Sequence, residues 1–262
     1  MKTRSLTKIA FAVVALVMSV GVFAVDNSIY IDQTGDNATI NISQDGAGNR
    51  VRGIQGVGTG NTTPAVINGD GMQIDVTQVG AGNTLNLGIQ STTAAGSAPT
   101  SVSYNVSGGG NTGTINLNAN NQGINASSTI DITQTNGNNI TNVNVLGSNN
   151  TLTANQSGGS ASLISTVNAN NTTQTINTSG GTDNRVTTNL TGDKGTVVVD
   201  MVGASNHANI TQDGGSTGGQ YAKLDVTGSN NTYTVNQSGT IDTTVNIKTT
   251  GSGNTFGVTT RN

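Results

Sequence analysis

The chain has 262 residues, and its composition excludes most common classes of folded protein. Only 32% of the residues are hydrophobic and 9% are charged, against roughly half apolar and a quarter charged in an ordinary soluble domain. The absence of cysteine excludes disulfides, and the single His207 excludes a histidine-rich metal site or a catalytic pair of histidines. The composition is not that of a disordered chain either, because it has 2 Pro, no Glu and mainly β-branched apolar residues.

The first 24 residues have the organisation of a secretory signal peptide. Three basic residues, Lys2, Arg4 and Lys8, precede an apolar run, and small residues precede position 25. The apolar run of about 12 residues is shorter than the roughly 20 that a membrane-spanning helix needs, which argues against a membrane anchor. We therefore expect 1–24 to be removed and 25–262 to be the mature chain.

The expected mature chain is acidic and has few basic residues. It has 7 Lys and Arg against 13 Asp, a net charge of −6, because three of the 10 basic residues lie in the leader. Binding to a phosphate backbone needs clustered Lys and Arg, so we expect no nucleic-acid partner.

Short segments of alternating apolar and polar residues recur after the leader. The clearest copies are Ile29-Tyr30-Ile31-Asp32-Gln33, Ile40-Asn41-Ile42-Ser43-Gln44, Ile74-Asp75-Val76-Thr77-Gln78, Ile130-Asp131-Ile132-Thr133-Gln134 and Tyr233-Thr234-Val235-Asn236-Gln237. Weaker copies near 143–145, 197–201, 224–226, 245–247 and 256–258 keep the alternation without Gln. Successive side chains of a strand point to opposite faces, so each copy predicts a short strand with one buried face.

The glutamines of these segments lie on the same side as the aliphatic residues, so we expect them to point inward. A buried amide is costly unless it is hydrogen bonded, but strands stacked in register let each Gln bond to the Gln above and below it. We predict an assembly ladder formed by Gln33, Gln44, Gln78, Gln134, Gln156, Gln212 and Gln237. The copies between 157 and 205 are looser, and their only glutamine, Gln174, lies off the predicted inward pattern.

Glycine and asparagine follow the strands and predict tight turns. These residue types tolerate positive φ, and the predicted turn residues are Gly46, Asn49, Gly80, Asn83, Asn139 and Asn150. Two strand-and-turn units close one coil of about 22 residues, which predicts an all-β fold, a β-solenoid of two short strands per coil. The mature length corresponds to about nine or ten coils, and at roughly 4.8 Å per stacked strand to a rod about 45 Å tall.

Four interruptions of the repeat predict irregular loops, near 62–71, 91–100, 118–128 and 214–220. Both prolines, Pro64 and Pro99, lie in the first two of these segments. Because proline cannot donate a hydrogen bond to a strand ladder, its confinement to the interruptions supports the strand prediction.

The recurrence of Gln, Gly and Asn at fixed offsets resembles the curlin repeat of bacterial curli subunits, Ser-x5-Gln-x-Gly-x-x-Asn-x5-Gln. The residues that carry the resemblance are Gln44-x-Gly46-x-x-Asn49 followed by Gln55, Gln78-x-Gly80-x-x-Asn83 followed by Gln90, and Asn150 followed by Gln156. The resemblance extends over nearly the whole mature chain.

The curlin resemblance implies a secreted, non-enzymatic amyloid subunit whose solenoid stacks into cross-β fibres. Such a subunit passes through the periplasm and an outer-membrane secretion pore to the cell surface, where it forms a homopolymer in the fimbrium or biofilm matrix. A companion curlin subunit, either the major subunit or a nucleator, would be a further partner. Independently of the family, neither 25–27 nor 255–262 reads as a capping element, and unpaired solenoid ends favour filament growth.

The sequence contains no motif that predicts catalysis, a cofactor or a metal site. The 13 Asp occur singly among turns, and Gly214-Gly215 lacks the rest of a calcium-binding repeat. Some Asp and Arg residues, among them Asp45 and Arg52, are expected at outward or turn positions, where they could limit lateral aggregation. Two alternatives stay open: an extracellular solenoid adhesin that does not polymerise, and an ice-binding solenoid with a flat face of repeated Thr-x-Thr.

Overall fold

The computed structural model of the chain is built from strands. It describes residues 13–17, 28–46, 48–52, 65–69, 71–80, 82–90, 99–108, 110–117, 128–136, 138–181, 183–192, 194–213, 219–239 and 243–261. In chain order the strands are β1 Val13–Val17, β2 Ser28–Tyr30, β3 Asp32–Thr34, β4 Thr39–Asp45, β5 Arg50–Arg52, β6 Ala65–Asn68, β7 Gln73–Val79, β8 Thr84–Gln90, β9 Ser101–Ser107, β10 Thr112–Leu117, β11 Thr129–Thr135, β12 Asn139–Ser148, β13 Thr151–Ser157, β14 Ala161–Asn170, β15 Thr173–Ser179, β16 Arg185–Thr191, β17 Thr196–Val202, β18 His207–Asp213, β19 Tyr221–Thr227, β20 Thr232–Ser238, β21 Thr244–Thr250 and β22 Thr255–Arg261.

The strands form two parallel sheets, and the chain alternates between them. Sheet A has the order β1-β4-β7-β9-β11-β13-β15-β17-β19-β21, and sheet B the order β2-β5-β8-β10-β12-β14-β16-β18-β20-β22. Each coil contributes one level to a sheet. The short strands β3 and β6 lie in the same levels of sheet B as β2 and β5, respectively. Each strand pairs in parallel with the next strand of its own sheet, so the prediction of an all-β solenoid with two strands per coil is confirmed.

The coil length is set by the turns and loops between the strands. Successive sheet A strands begin 22 residues apart at Thr129, Thr151 and Thr173. The spacing grows to 28 residues where β7, β9 and β11 follow one another, because an inserted segment precedes β9 and β11. The register of the strands is the same before and after these insertions, so the side-chain rows are not shifted.

The core is one thin layer between the sheets. The seven-residue strands other than the terminal β21 and β22 bury their second, fourth and sixth residues, as in β7, where Ile74, Val76 and Gln78 are buried. Among the described residues, the aromatic side chains buried in this layer are Tyr104 and Tyr233. Tyr104 is accommodated by Gly113 of the facing sheet, where an added Cβ would lie 2.9 Å from Cε1 of the Tyr104 ring.

Three observations correct or extend the sequence-based picture. The first predicted loop, 62–71, contains strand β6, because Val66 and Ile67 pair with Asp32 and Gln33 of β3. The coils between 157 and 205 are regular, with β14 to β17 in unbroken register. Residues 91–98, 118–127 and 214–218, where most of the other predicted loops fall, lie outside the described residues.

Strand β1 lies within the predicted leader. Its five residues pair in parallel with Thr39–Ser43, so Val13–Val17 forms the terminal strand of sheet A in the full chain.

Candidate functional site

The predicted glutamine ladder exists in sheet A as two separate bonded pairs. Gln44 and Gln78 are adjacent in register, and the Gln78 amide Nε2 donates to Oε1 of Gln44 at 2.7 Å. Gln134 and Gln156 form the second pair, in which Gln156 Nε2 donates to Gln134 Oε1 at 2.6 Å. All four side chains are buried, in agreement with the predicted inward direction.

The two pairs are separated by β9. The β9 residue that is in register with Gln78 on one side and Gln134 on the other is Val106. On this strand the hydroxyl of Tyr104, two residues earlier, donates to Oε1 of Gln78 at 3.1 Å. Tyr104 thus satisfies the amide that would otherwise face Val106. Burial raises the pKa of the Tyr104 phenol above its ordinary value, so the hydroxyl stays protonated as a donor.

The glutamine amides also hold each strand to the start of the next one in the chain. Gln44 Nε2 donates to the carbonyl of Arg50 at 3.2 Å, and Gln78 Nε2 donates to that of Thr84 at 3.3 Å. Gln212 of sheet B makes the equivalent bond to the carbonyl of Tyr221 at 3.0 Å. The interaction crosses the coil, which sequence periodicity alone does not reveal.

The remaining predicted ladder residues do not join the sheet A pairs. Gln212 and Gln237 are paired in register in sheet B and buried, but the amide atoms of Gln237 have no hydrogen-bond partner among the described residues. Gln33 is half-buried in β3, and its Nε2 donates to the Thr34 carbonyl at 3.5 Å. The predicted continuous ladder of seven glutamines is therefore wrong in its continuity.

Gln174 was expected off the inward pattern, and this is also wrong. It is fully buried as the second residue of β15, in register with Leu152 and Val197. Gln174 lies on the buried face because β15 begins at Thr173 and its second residue points inward.

Asparagine, rather than glutamine, forms the longer inward row. Asn83 Nδ2 donates to Asn111 Oδ1 at 2.9 Å, and Asn111 Nδ2 donates to Asn139 Oδ1 at 2.8 Å. The row is interrupted at Ala161 and resumes with Asn184, Asn206, Asn231 and Asn254. We call these asparagines, together with Asn49, the Asn row.

Members of the Asn row also bond to backbone carbonyls of the turns. Asn111 Nδ2 lies 3.1 Å from the carbonyl oxygen of Gly108, and Asn206 Nδ2 lies 2.8 Å from that of Gly203. The predicted turn residues thus divide into two roles. Gly46 and Gly80 have positive φ, whereas Asn49, Asn83 and Asn139 are buried and Asn150 is buried in the turn on the other side of the coil.

The outer faces carry polar residues with few charges. The charged residues expected there include Asp45, which is exposed, but Arg52 is only 6% exposed. Its guanidinium lies 4.8 Å from the centre of the Tyr30 ring and donates to the Tyr30 hydroxyl at 2.6 Å. Arg52 keeps the predicted outward position, because its neighbour Val51 is the core residue of β5, but its cation is buried beside the Tyr30 ring rather than exposed.

One end of the described solenoid exposes residues whose counterparts are buried in the inner coils. Strand β22 is exposed along its whole length, with Phe256 61% and Val258 46% exposed. At the other end an open cavity is lined mainly by Ile29, Ile31, Ile40 and Ile42. Apolar surface therefore coincides with an unpaired strand edge at the β22 end, whereas Ile29, Ile40 and Ile42 at the other end are buried and β4 is paired with β1.

No group of three or more metal-binding side chains occurs in the described part of the chain. Within the same residues, no helix reaches the length and hydrophobicity that crossing a bilayer requires. No family model matches the sequence, and neither a curated protein nor a solved structure matches it.

Proposed function

We propose that the chain is a secreted structural subunit that polymerises end to end into curli-like amyloid fibres on the bacterial surface. The fibres would support adhesion and the biofilm matrix, with a companion subunit and an outer-membrane pore as partners. The observation that carries the proposal is the unbroken parallel register up to β22, whose edge and apolar side chains are exposed.

The physical argument is that an exposed solenoid end is a template. The edge of β22 offers a row of backbone donors and acceptors, and Phe256 and Val258 offer apolar surface beside it. Contact between two different ends repeats on every added copy, so it produces a filament rather than a closed dimer.

The test is assembly of the purified protein. We expect fibres that bind thioflavin after a lag, that shorten the lag when added as seeds, and that give a meridional reflection near 4.7–4.8 Å. Protein that stays monomeric while it retains its β-sheet circular dichroism would contradict the proposal and favour an extracellular adhesin.

The ice-binding alternative has one supporting observation. Thr151 and Thr153 of β13 pair in register with Thr173 and Thr175 of β15 on the outer face of sheet A. Next to Thr153 and Thr175, the neighbouring strands carry Asp131 and Val198 at the paired positions. The array of two threonines per strand therefore covers two strands. Thermal hysteresis of the dilute protein would favour this alternative.

A further inference from the structure

After residue 24, and counting the described residues only, the two sheets have different numbers of levels. Sheet B has 12 strands, and because β3 and β6 share the levels of β2 and β5, its path has ten levels. Sheet A has 10 strands, but one of them is β1, inside the predicted leader. A chain without β1 therefore has nine levels in sheet A against ten in sheet B.

Because the two sheets have different numbers of levels, two copies that stack end to end as proposed above cannot continue both sheets without a gap. Each level occupies about 4.8 Å, so a second copy that continues sheet B is displaced by ten levels. In sheet A the β4 strand of that copy then lies two levels beyond β21, which leaves a slot one strand wide. Moving the copy closer by one level would close the slot but would make its β2 overlap β22.

Strand β1 occupies this slot in the full chain. Val14 pairs with Ile40 and Leu16 with Ile42 in the backbone register. The carbonyl of Ala38 accepts from Gln73 of β7 at 2.9 Å, and backbone groups of alternate residues point to opposite sides of a strand. The N–H and C=O groups of Asn41 and Ser43 therefore face the side on which β1 lies.

The surroundings of the β4 edge define what it can accept. Ile40 and Ile42, with Ile29 and Ile31 opposite, line the open cavity of the first coil. Between positions 28 and 52 the sequence has three Asp and two Arg, so the charge around this edge is nearly balanced. An incoming strand with apolar residues at the positions paired with Ile40 and Ile42 fits this edge.

We propose that the free edge of β4 is an acceptor site for one parallel strand. Val13–Val17 fills it within the unprocessed chain, and a strand of the stated chemistry, supplied by a partner, fills it after the leader is removed. The contact between two stacked copies that lack the leader is then complete in sheet A only when this additional strand is bound between β21 of one copy and β4 of the next. The gap between stacked copies rests on the proposed function, whereas the acceptor site on β4 does not.

The intramolecular half of the proposal can be tested in the full chain, because the protein has no cysteine. The double variant A15C/N41C places two thiols at paired positions, about 5 Å apart between Cα atoms. We expect a short thiol crosslinker to join them in the dilute monomer. The matched control A15C/D45C separates the thiols by four residues along β4 and should not crosslink, and equal crosslinking of the two variants would overturn the proposal.

The second test uses a chain that begins at Val25 and a peptide probe. The probe is the Val13–Val17 sequence flanked by lysines, and the control peptide has Asn in place of Val14 and Leu16. We expect one probe per chain, binding at least about tenfold tighter than the control peptide. The full chain should bind neither peptide, because β1 occupies its site.

Two further variants locate the binding on the β4 edge. Ser43→Pro removes an N–H that faces the slot, and we expect the probe to bind about tenfold more weakly or not at all. Ser43→Ala keeps that N–H and should bind the probe normally. If both variants bind alike, the site is not this edge.

The outcomes separate this proposal from the proposed function. Probe binding without fibres leaves the acceptor site standing and rejects the polymer. Fibres of the chain from Val25 that form at the same rate with and without the probe, and that do not bind it, reject the acceptor site. If the chain from Val25 does not fold, crosslinking in the full chain decides.

Discussion

A buried amide in this protein is satisfied by its neighbours in register and across the coil. Gln78 donates to Gln44 and to the Thr84 carbonyl, and it accepts from Tyr104. Each of these groups lies on a different strand, so the side chain links three coils and both sheets. A polar residue in so thin a core therefore specifies register as well as contributing to stability.

The Gln78→Glu variant tests this role. A buried carboxylate loses the two donated bonds and is desolvated, so we expect a loss of about 3 kcal/mol or more in unfolding free energy at pH 7. Burial raises the pKa of such a carboxyl above its unfolded value near 4.3, so the penalty should be small below about pH 4 and grow as pH rises. Denaturant titration across this range checks it, with Thr77→Glu on the exposed face of the same strand as the control.

The Tyr104 hydroxyl gives a prediction at alkaline pH. Tyr104→Phe removes one buried hydrogen bond and should cost about 1–2 kcal/mol at pH 7. Because burial raises the pKa of Tyr104 in the folded protein, its stabilising contribution is present below the unfolded pKa of about 10 and is lost as pH rises beyond it. The difference between wild type and Tyr104→Phe should therefore shrink above pH 10, and a constant difference in chemical denaturation would contradict this.

At the scale of a strand and its turn, the alternation of residues predicted more than the composition did. Ile74, Val76 and Gln78 were assigned to the buried face because a strand has a fixed period of two. Periodicity cannot specify which strands become neighbours, since inserted segments precede some coils and not others. Val106 therefore interrupts the glutamine row, and Gln212 lies in the other sheet from Gln78.

The asparagines after the turn glycines show a second limit of prediction from sequence. The residue type suggested a backbone role at positive φ, and glycines such as Gly80, with φ of 118°, fulfil that role. An alanine at Gly80 would also place its Cβ against the carbonyl oxygen of Gly46 in the next coil. The side chain of Asn83 instead points inward and bonds to the next turn, which requires knowledge of the stacking.

Removal of one member of the Asn row should destabilise two adjacent turns. Asn111→Ala deletes bonds to Gly108 and Asn139 and leaves the amide of Asn83 without one partner. We expect a loss of about 2–4 kcal/mol, because buried donors and acceptors are left unpaired. Asn105→Ala, at an exposed position of β9, is the matched control and should change stability by less than about 0.5 kcal/mol. Similar losses in thermal unfolding of both variants would show that the row is not stabilising.

At the scale of the whole molecule, stability and assembly draw on the same interaction. Every inner coil buries its apolar residues against the coils on both sides, as Val235 of β20 does against Ile210 and Val258. The terminal coil has such a neighbour on one side only. A second copy would provide the missing neighbour, so addition to an end resembles the addition of one more coil during folding.

A substitution at Phe256 should change the rate of assembly but not the stability of the folded monomer. The Phe256 ring is 61% exposed in the single chain, so Phe256→Thr should leave the unfolding free energy of the monomer nearly unchanged. If the row of Ile29, Val51 and Phe256 continues into the next copy, the ring is buried on assembly, and its removal costs about 1.5–3 kcal/mol per joint. We therefore expect seeded elongation to slow by roughly tenfold or more.

The control is Val79→Thr, which changes a side chain that is 43% exposed on the flank of β7 instead of at an end. This variant should elongate at the wild-type rate. Equal slowing by both substitutions would indicate lateral association, and no slowing by Phe256→Thr would show that growth does not use the β22 end.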